Sequence, residues 1–428
     1  MSAKLQDDPD FIHNFKEFLG SSKKIRVLGE GADGVVTLYR HVPTSRFVAV
    51  KSISSTVKPR WKQTAMYNLK QEIKILDFLG MHPHIIKAVG WDIDILALAL
   101  EYADQGTLYY YKRRVNSYVK KFPEVTMWKI LLDVSQGISF LHQELGESVQ
   151  LLHGDIKPDN FLVVGPRDVP GVPLIPTFKF ADFGRMRVFD PKKPIPYMGT
   201  PEYAPPQEER KRGVTPAVDI WSIGSTLSEM AFTIMPNETD EQYIARHAKD
   251  PDAAPAGVEV TKFNLKTNQK VRDKVRFLKE ALVRPLNASI EEQIRMGIPK
   301  DNVVEPYSDE LQQWYQLCCT YNPEDRIQAE QLQNFLVPTA TANVDVWARK
   351  WDLQYSENRK SIILHNARAR SDHEFKTVPP QKSILTTDLG VAQKQPQQPQ
   401  QPFSFDEGME HLSIKNNKDD QEKAYSNG

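Results

Sequence analysis

Short runs rich in apolar and β-branched residues, which are typical of strands, recur between residues 25 and 100. They predict strands at residues 25–28, 36–39 and 47–51, with further strands up to residue 100. Between these strands, Leu69, Ile73, Leu76 and Leu79 have helical spacing and predict a helix over residues 68–79. A longer pattern of the same kind predicts a helix over residues 127–141.

Residues 1–20 predict one short amphipathic helix that docks on its own domain. Asp10 is placed to cap it and Gly20 to end it. A helix that binds a partner protein is the alternative. The apolar stripe of this helix consists of Phe11, Ile12, Phe15, Phe18 and Leu19.

Three glycines follow the first predicted strand with the spacing Gly-x-Gly-x-x-Gly, at Gly29, Gly31 and Gly34. Glycine lets a backbone approach phosphate groups closely and adopt positive φ angles. The same spacing occurs in dinucleotide-binding folds, where it opens a helix. Here the residues after Gly34 have the pattern of a strand, which favours a hairpin that covers phosphates.

Residues 153–160, HGDIKPDN, place an acid, a cation and an amide at fixed offsets in one turn. Phosphoryl transfer from a metal–nucleotide complex uses these three groups together. A carboxylate orients the attacking hydroxyl and accepts its proton, a lysine neutralises phosphate charge, and an amide oxygen helps to hold a metal ion. The residues that fit these tasks are Asp155, Lys157 and Asn160.

With four further motifs in the same order, this segment resembles the catalytic loop of eukaryotic protein kinases of the Ser/Thr type. The family pattern is His-Arg-Asp-x-Lys-x-x-Asn, and Gly154 stands in the arginine position. The resemblance covers about residues 25–336 and implies an α+β, bilobal kinase fold. Its small β-rich N-terminal lobe would span 21–100, its hinge 101–106, and its larger, mainly helical C-terminal lobe 107–337.

The resemblance also implies an ATP site. Lys51, at the end of a strand, would contact the α- and β-phosphates and pair with Glu72 on the next helix. Leu100 would be the gatekeeper residue, and Glu101 and Ala103 would bind adenine through their backbones. The apolar side chains around the ring, which could equally be plain core, would be those of Leu28, Val36, Ala49 and Leu162.

Residues 181–184, ADFG, resemble the motif whose aspartate chelates Mg²⁺. Asp182 and Asn160 are therefore the implied metal ligands. Asp219, which opens an apolar helix, would hydrogen-bond the backbone of the catalytic loop.

Residues 199–203, GTPEY, resemble the substrate-docking loop of Ser/Thr kinases. Thr200 in this loop would hydrogen-bond Asp155, the implied catalytic base, and Lys157. By the same resemblance, Lys157 contacts the transferred phosphate and marks a loop of the Ser/Thr type.

One departure from the family pattern falls at the end of the activation segment, where Ala-Pro-Glu reads Pro205-Pro206-Gln207. The family's glutamate pairs with a buried arginine, which is Arg326 here. Removing one partner of a buried pair typically costs about 3–5 kcal/mol. Either Gln207 forms a neutral hydrogen bond in place of the ion pair, or Glu208 takes that role.

A second departure concerns regulation. Gly154 removes the arginine that in many kinases anchors a phosphate on the activation segment. Between Gly184 and Gly199 the only hydroxyl is that of Tyr197, and Pro196 stands where a threonine is common. We expect activity that does not depend on phosphorylation of this segment. A genuine phosphorylation site at Tyr197 is the alternative.

Substrate preference rests on three acids. Asp159, Glu202 and Glu229 fall where kinases that prefer basic substrates place carboxylates for substrate arginines. They predict a preference for basic residues upstream of the acceptor hydroxyl, although many kinases without that preference carry some of these acids.

Charge and composition set limits on partners and location. The 55 basic and 55 acidic side chains balance, which gives no reason to expect nucleic acid or an anionic membrane as a partner. The apolar run at residues 95–100 is too short for a membrane span, and the N-terminus lacks an apolar signal region. Adjacent Cys318 and Cys319 predict reduced thiols and a cytoplasmic or nuclear location. We expect protein substrates and a monomer.

Two further segments are predicted beyond residue 337. Residues 338–370 form a C-terminal extension with a helical pattern, and residues 371–428 form a polar Gln/Pro-containing tail predicted to be disordered. Residues 233–308 are longer than this part of the fold usually is, with a predicted loop at 251–257 and a basic helix at 268–282.

The sequence therefore predicts a protein kinase that uses ATP and Mg²⁺ to phosphorylate Ser or Thr. A pseudokinase that acts as a scaffold or allosteric binding module is the alternative, supported by Gly154, Pro205 and Gln207. Against it, every residue with a chemical role is present. A kinase-fold enzyme that acts on small molecules is disfavoured by the GTPEY loop, which docks polypeptide.

Overall fold

Five antiparallel strands form the N-terminal sheet of the computed structural model, in the order β1-β2-β3-β5-β4. The structure describes residues 5–31, 34–146, 149–165, 172–193, 195–249 and 260–350. The central strand of the sheet, β3, buries Val48, Ala49 and Val50. The strands are β1 (Ser22–Gly31), β2 (Gly34–His41), β3 (Phe47–Ser52), β4 (Ala88–Asp92) and β5 (Ala97–Glu101).

The glycine-rich segment forms the predicted hairpin of β1 and β2, with Gly31 opposite Gly34. Residues 32 and 33 at its tip lie outside the described residues. A strand and not a helix follows Gly34, which contradicts the dinucleotide-binding alternative. Gly34 has a φ of +141°, and a Cβ there would collide with the carbonyl oxygen of Ser52, so a side chain does not fit.

The apolar stripe of residues 11–19 packs on this sheet, but its helix is shorter than predicted. After a 3₁₀ turn at Leu5–Asp7, α1 spans only Phe15–Gly20. Its N-cap is Asn14, whose side chain accepts a hydrogen bond from the Glu17 amide, so the prediction of Asp10 as the cap is wrong. Phe15 and Phe18 join a buried cluster with Val48, Val50, Val89, Ala97 and Ala99.

The helix predicted over residues 68–79 begins earlier, because α2 spans Pro59–Leu79. Pro59 is tolerated in the first turn, where an amide has no partner within the helix. The predicted apolar face is buried in the main core. Glu72 lies on α2 and is only 1% exposed, so its carboxylate needs a partner.

The remainder of the structure is mainly helical and is built around α4 (Glu124–Ser139) and α6 (Ala217–Phe232). Both are buried along most of their length. The small β-rich lobe and the larger helical lobe confirm the predicted α+β, bilobal architecture. The other helices are α3 (Leu108–Asn116), α5 (Gln207–Arg212), α7 (Asp240–His247), α8 (Lys262–Thr267), α9 (Gln269–Arg276), α10 (Ile290–Arg295), α11 (Asp309–Cys318), α12 (Ala329–Gln331) and α13 (Val337–Lys350).

Two short ribbons frame the candidate catalytic loop. β6 (Leu151–Leu152) pairs with β9 (Arg187–Val188), and β7 (Phe161–Val164) pairs with β8 (Thr177–Phe180). Residues 153–160 connect β6 to β7, so strands hold this turn at both ends.

Among its described residues, the segment 233–308 contains the short helices α7 to α10. The helix predicted for residues 268–282 is limited to α9, which Asn268 caps through its side chain. Val271 and Val275 of α9 pack with Tyr243 and Leu265 in a separate small cluster. The loop predicted at residues 251–257 lies outside the described residues.

The C-terminal end of the described chain continues the helical lobe. Helix α13 packs against α4, and its Ala340 and Val344 are buried in the main core. Residues 351–370 of the predicted extension and the predicted disordered tail lie outside the described residues. Among the helices described, none has both the length and the apolar character that crossing a membrane requires.

Arg326 forms its buried ion pair with Glu209, so both predicted alternatives for its partner are wrong. Arg326 Nη2 lies 2.8 Å from Glu209 Oε2, and the two side chains are 0% and 4% exposed. Gln207 instead donates to the Leu278 carbonyl at 2.7 Å, and Glu208 is exposed. Because α5 begins at Gln207 and each residue turns the helix by about 100°, Glu209 is the residue that faces Arg326.

We expect Glu209→Ala to lower the free energy of unfolding by about 3–5 kcal/mol, since it leaves the Arg326 guanidinium buried without its partner. Urea unfolding followed by circular dichroism measures this. Glu208→Ala, one residue earlier and exposed, is the matched control and should change stability by less than about 0.5 kcal/mol. Equal effects of the two substitutions would contradict the assignment.

Candidate active site

The candidate catalytic loop holds the Asp155 carboxylate inside the protein, where it is 3% exposed. Lys157 Nζ lies 3.0 Å from Asp155 Oδ2. Asn160 Nδ2 donates to the Asp155 carbonyl at 2.7 Å, and a 3₁₀ turn at Pro158–Asn160 brings this amide back toward the acid. The cation and the amide that the spacing singled out therefore both contact the acid.

The substrate-docking loop closes on the same carboxylate through Thr200. The Thr200 amide and hydroxyl both donate to Asp155 Oδ1, at 2.8 and 2.6 Å. Lys157 Nζ lies 2.8 Å from Thr200 Oγ1. The expected contacts of Thr200 with Asp155 and Lys157 are thus present, and they join residues far apart in the chain.

The charges around Asp155 keep it ionised. Burial alone would raise the pKa of this carboxyl, but the charges of Lys157 and Arg185 and the hydrogen bond from Thr200 outweigh burial and hold the pKa below its usual range. At neutral pH the group is therefore a carboxylate that can accept a proton.

Asp219 fixes the backbone of the candidate catalytic loop. Its carboxylate accepts hydrogen bonds from the amides of His153 and Gly154, at 2.8 and 2.9 Å, and lies 3.0 Å from His142 Nε2. Gly154 has a φ of +75°, a conformation that glycine adopts without strain. The predicted support of the loop by Asp219 is present in the structure.

A second charged group lies at the junction of β3, α2 and the ADFG segment. Lys51 Nζ is 2.6 Å from Glu72 Oε2 and 3.0 Å from Asp182 Oδ1. Burial opposes ionisation of Asp182, but the charge and hydrogen bond of Lys51 prevail and hold the pKa of that carboxyl well below its usual range. Lys51 is thereby fixed between two carboxylates.

The predicted metal ligands fit a hard divalent cation. The Ala181 amide donates to the Asn160 carbonyl at 2.9 Å, which places the residue before Asp182 against the catalytic loop. Because Asn160 uses its side-chain nitrogen on Asp155, its side-chain oxygen is the atom left for a metal. An amide oxygen and an ionised carboxylate are ligands that Mg²⁺ accepts.

The side chains predicted to surround adenine all belong to the main hydrophobic core or pack against it. Ala49 and Leu100 are buried in the main core, and Leu28, Val36 and Leu162 are half-buried and pack against it. In the hinge, the Ala103 carbonyl already accepts the Gly106 amide at 3.1 Å. The Glu101 carboxylate binds Lys179 Nζ at 2.6 Å, which ties the hinge to β8.

Sequence reasoning missed Arg185, the residue directly after the ADFG motif. Its Nη1 donates to the Met198 carbonyl at 3.0 Å and lies 3.7 Å from Asp155 Oδ2. It therefore brings to Asp155 a positive charge from outside the catalytic loop. The sequence carried no signal for this contact, because Arg185 lies 30 residues from Asp155 and belongs to a different motif.

The acids predicted to bind substrate arginines are in different surroundings. Asp159 is exposed, whereas Glu229 is buried. Glu202 forms a bidentate ion pair with Arg276 of α9. Sequence reasoning did not find this partner, which comes from the long segment 233–308.

The two lobes and the groups gathered between them define a protein kinase domain. A family model described as the protein kinase domain matches residues 22–336, and the chain belongs to this family.

Curated relatives include kinases of two specificities. The chain is 29% identical over 240 residues to dual specificity mitogen-activated protein kinase kinase 1 of Dictyostelium discoideum, covering 55% of this chain and 33% of that protein. It is 26% identical over 284 residues to serine/threonine-protein kinase atg1 of Schizosaccharomyces pombe, covering 60% and 31%. For serine/threonine-protein kinase SIK1 of Rattus norvegicus the identity is 30% over 206 residues, covering 47% and 24%. The chain thus spans about a third or less of these relatives' length.

We expect Asp219→Ala to loosen the catalytic loop, because the amides of His153 and Gly154 lose their acceptor. A buried donor left unsatisfied costs about 1–3 kcal/mol. Hydrogen exchange read by mass spectrometry should show faster exchange at these two amides. Asp94→Ala, in an exposed turn, is the control and should leave them unchanged. Unaltered exchange in Asp219→Ala would show that other contacts hold the loop.

Proposed function

We propose that this protein kinase is catalytically active and transfers the γ-phosphoryl group of ATP to Ser or Thr hydroxyls of protein substrates. The observation that carries the proposal is the position of the Asp155 carboxylate, which contacts both Lys157 and Thr200. Lys157 favours Ser/Thr acceptors, because the resemblance assigns a lysine there to the Ser/Thr type. Tyrosine as an additional acceptor is the alternative suggested by the dual-specificity relatives.

In this proposal Asp155 orients the acceptor hydroxyl and accepts its proton, which requires the carboxylate form. Its low pKa supplies that form at neutral pH. Lys157, 3.0 Å from the carboxylate, is placed to steady the negative charge of the transferring phosphoryl group. Thr200 fixes the carboxylate oxygen that faces the docking loop.

Lys51 would hold the α- and β-phosphates, and the 2.6 Å contact with Glu72 supports a fixed position for its ammonium group. Asn160 and Asp182 would hold Mg²⁺, which when bound neutralises phosphate charge and orients the nucleotide. Leu28, Val36, Ala49, Leu100 and Leu162 would enclose adenine, with the backbones of Glu101 and Ala103 as its hydrogen-bond partners.

Asp155→Asn should lower kcat by about 10²–10⁴-fold, since the amide cannot accept the hydroxyl proton. Transfer from labelled ATP with Mg²⁺ to a generic basic protein, together with nucleotide affinity, measures this. Asp94→Asn, the same change at an exposed site, should retain full activity.

Loss of transfer with retained nucleotide binding in Asp155→Asn, beside an active wild type, is the expected pattern. Nucleotide binding without transfer in the wild type would favour the scaffold alternative. Equal transfer by wild type and Asp155→Asn would overturn the role of Asp155.

We also propose that activity does not depend on phosphorylation of the activation segment. The Tyr197 hydroxyl donates to the Thr200 carbonyl at 2.9 Å, and burial raises the pKa of this phenol well above its usual value. A Cβ at Gly199 would collide with the Gly154 carbonyl oxygen, so the segment lies directly against the catalytic loop. Arg185 adds its hydrogen bond to Met198. These contacts hold the segment without a phosphate.

Phosphatase-treated protein should therefore keep its activity, whereas Arg185→Gln should lower kcat by about tenfold, because it removes a charged hydrogen bond of about 1.5–3 kcal/mol. The kinase assay combined with phosphate mapping measures both. Lys192→Gln, an exposed change in the same segment, is the control. A stoichiometric phosphate on Tyr197 that tracks activity would contradict the proposal.

A further inference from the structure

We infer that Arg276 determines substrate selectivity by occupying Glu202, so that the kinase does not select arginine through this acid. The inference rests on the proposed function and concerns which substrates the same site accepts. It replaces the sequence-based expectation that Glu202 binds a substrate arginine.

The pair of Glu202 and Arg276 leaves little of the carboxylate for a substrate. Arg276 Nε donates to Glu202 Oε1 at 2.8 Å, and Nη2 donates to Oε2 at 2.6 Å. Both oxygens are thus engaged by one guanidinium in the planar geometry that an incoming arginine would use. The side chains are 22% and 19% exposed, so water competes only partly with the pair.

Arg276 is held in place by the helix that carries it. It is the last residue of α9, and Val271 and Val275 of this helix are buried in the cluster with Tyr243 and Leu265. The position of the guanidinium is therefore already ordered in the folded protein. A substrate arginine would lose conformational freedom on binding. It would gain no new kind of contact, because its guanidinium would only replace that of Arg276 on Glu202.

Glu229, the second predicted acid, is also used internally. It is 4% exposed, and the Tyr203 hydroxyl donates to its Oε2. Lys112 Nζ lies 3.9 Å from its Oε1. Of the three predicted acids, Asp159 is the exposed one. The charge that would attract a basic substrate is therefore mostly neutralised within the chain.

The space beside Glu202 suits an uncharged side chain. A cavity of about 250 Å³ lies there, with Ile234 and Met235 among its lining residues. Its other charged groups are also paired: Glu238 with Arg246 at 2.7 Å, and Lys279 with Asp240 at 2.8 Å. Without a net charge on its walls, the cavity offers no electrostatic preference for arginine.

The test uses serine peptides that differ only by arginine or alanine at each upstream position. For the wild type we expect similar kcat/KM for the two residues at every position that Glu202 could reach. Arg276→Ala frees the carboxylate and should raise the arginine-to-alanine ratio by about tenfold at one upstream position, the low end for a charge-assisted hydrogen bond. Arg276→Gln also removes the guanidinium but keeps more of the side-chain stem. It serves as a second variant in case Arg276→Ala unfolds α9.

Two further variants complete the design. Lys274→Ala removes an exposed cation from the same helix and should leave the ratio unchanged. Adding Glu202→Gln to Arg276→Ala should abolish the gain, because the ratio then no longer depends on a free carboxylate.

A wild type that already selects arginine through Glu202, or folded Arg276 variants with an unchanged ratio, would overturn the inference and leave the proposed function intact. Absence of transfer to every peptide by the wild type would overturn both.

Discussion

The site depends on keeping one ionised carboxylate, that of Asp155, inside the protein. A buried charge without partners costs several kcal/mol, so the fold must bring cations and donors to it. They come from three separate segments: Lys157 in the catalytic loop, Arg185 after the ADFG motif and Thr200 in the docking loop. These segments cannot be rearranged independently, because each movement would remove part of the compensation. The need to compensate the charge of Asp155 thereby holds the substrate-docking loop against the catalytic loop.

Arg185 connects the buried acid to the activation segment, for which Gly154 removes the arginine that in many kinases binds a phosphate. Its guanidinium lies 3.7 Å from the Asp155 carboxylate. Arg185 also binds a main-chain carbonyl of the activation segment, that of Met198. A main-chain acceptor is always present, whereas a phosphate must be added. Arg185 can therefore hold the activation segment in place without a phosphate.

Contacts that the family resemblance implied are present whether the residues are close in sequence, as Asp155 and Lys157 are, or far apart, as Asp155 and Thr200 are. Lys51 and Glu72, on separate elements, also meet as the resemblance implied. Prediction failed where a partner depended on how a helix is rotated or where it begins. Glu209, and not Gln207 or Glu208, meets Arg326 because α5 begins at Gln207. The spacing of residues cannot reveal such a start, since tertiary packing sets it.

Glu202 shows why an acid in a recognition position does not by itself define recognition. Its partner Arg276 lies 74 residues further along the chain, in a segment whose pattern predicted only a basic helix. Whether the carboxylate attracts a substrate depends on whether the fold has already neutralised it. An internal guanidinium has lost its freedom during folding, whereas a substrate must lose it on binding. Arg276 therefore keeps Glu202 paired. In this way Arg276, and not Glu202 alone, controls whether a substrate arginine is recognised.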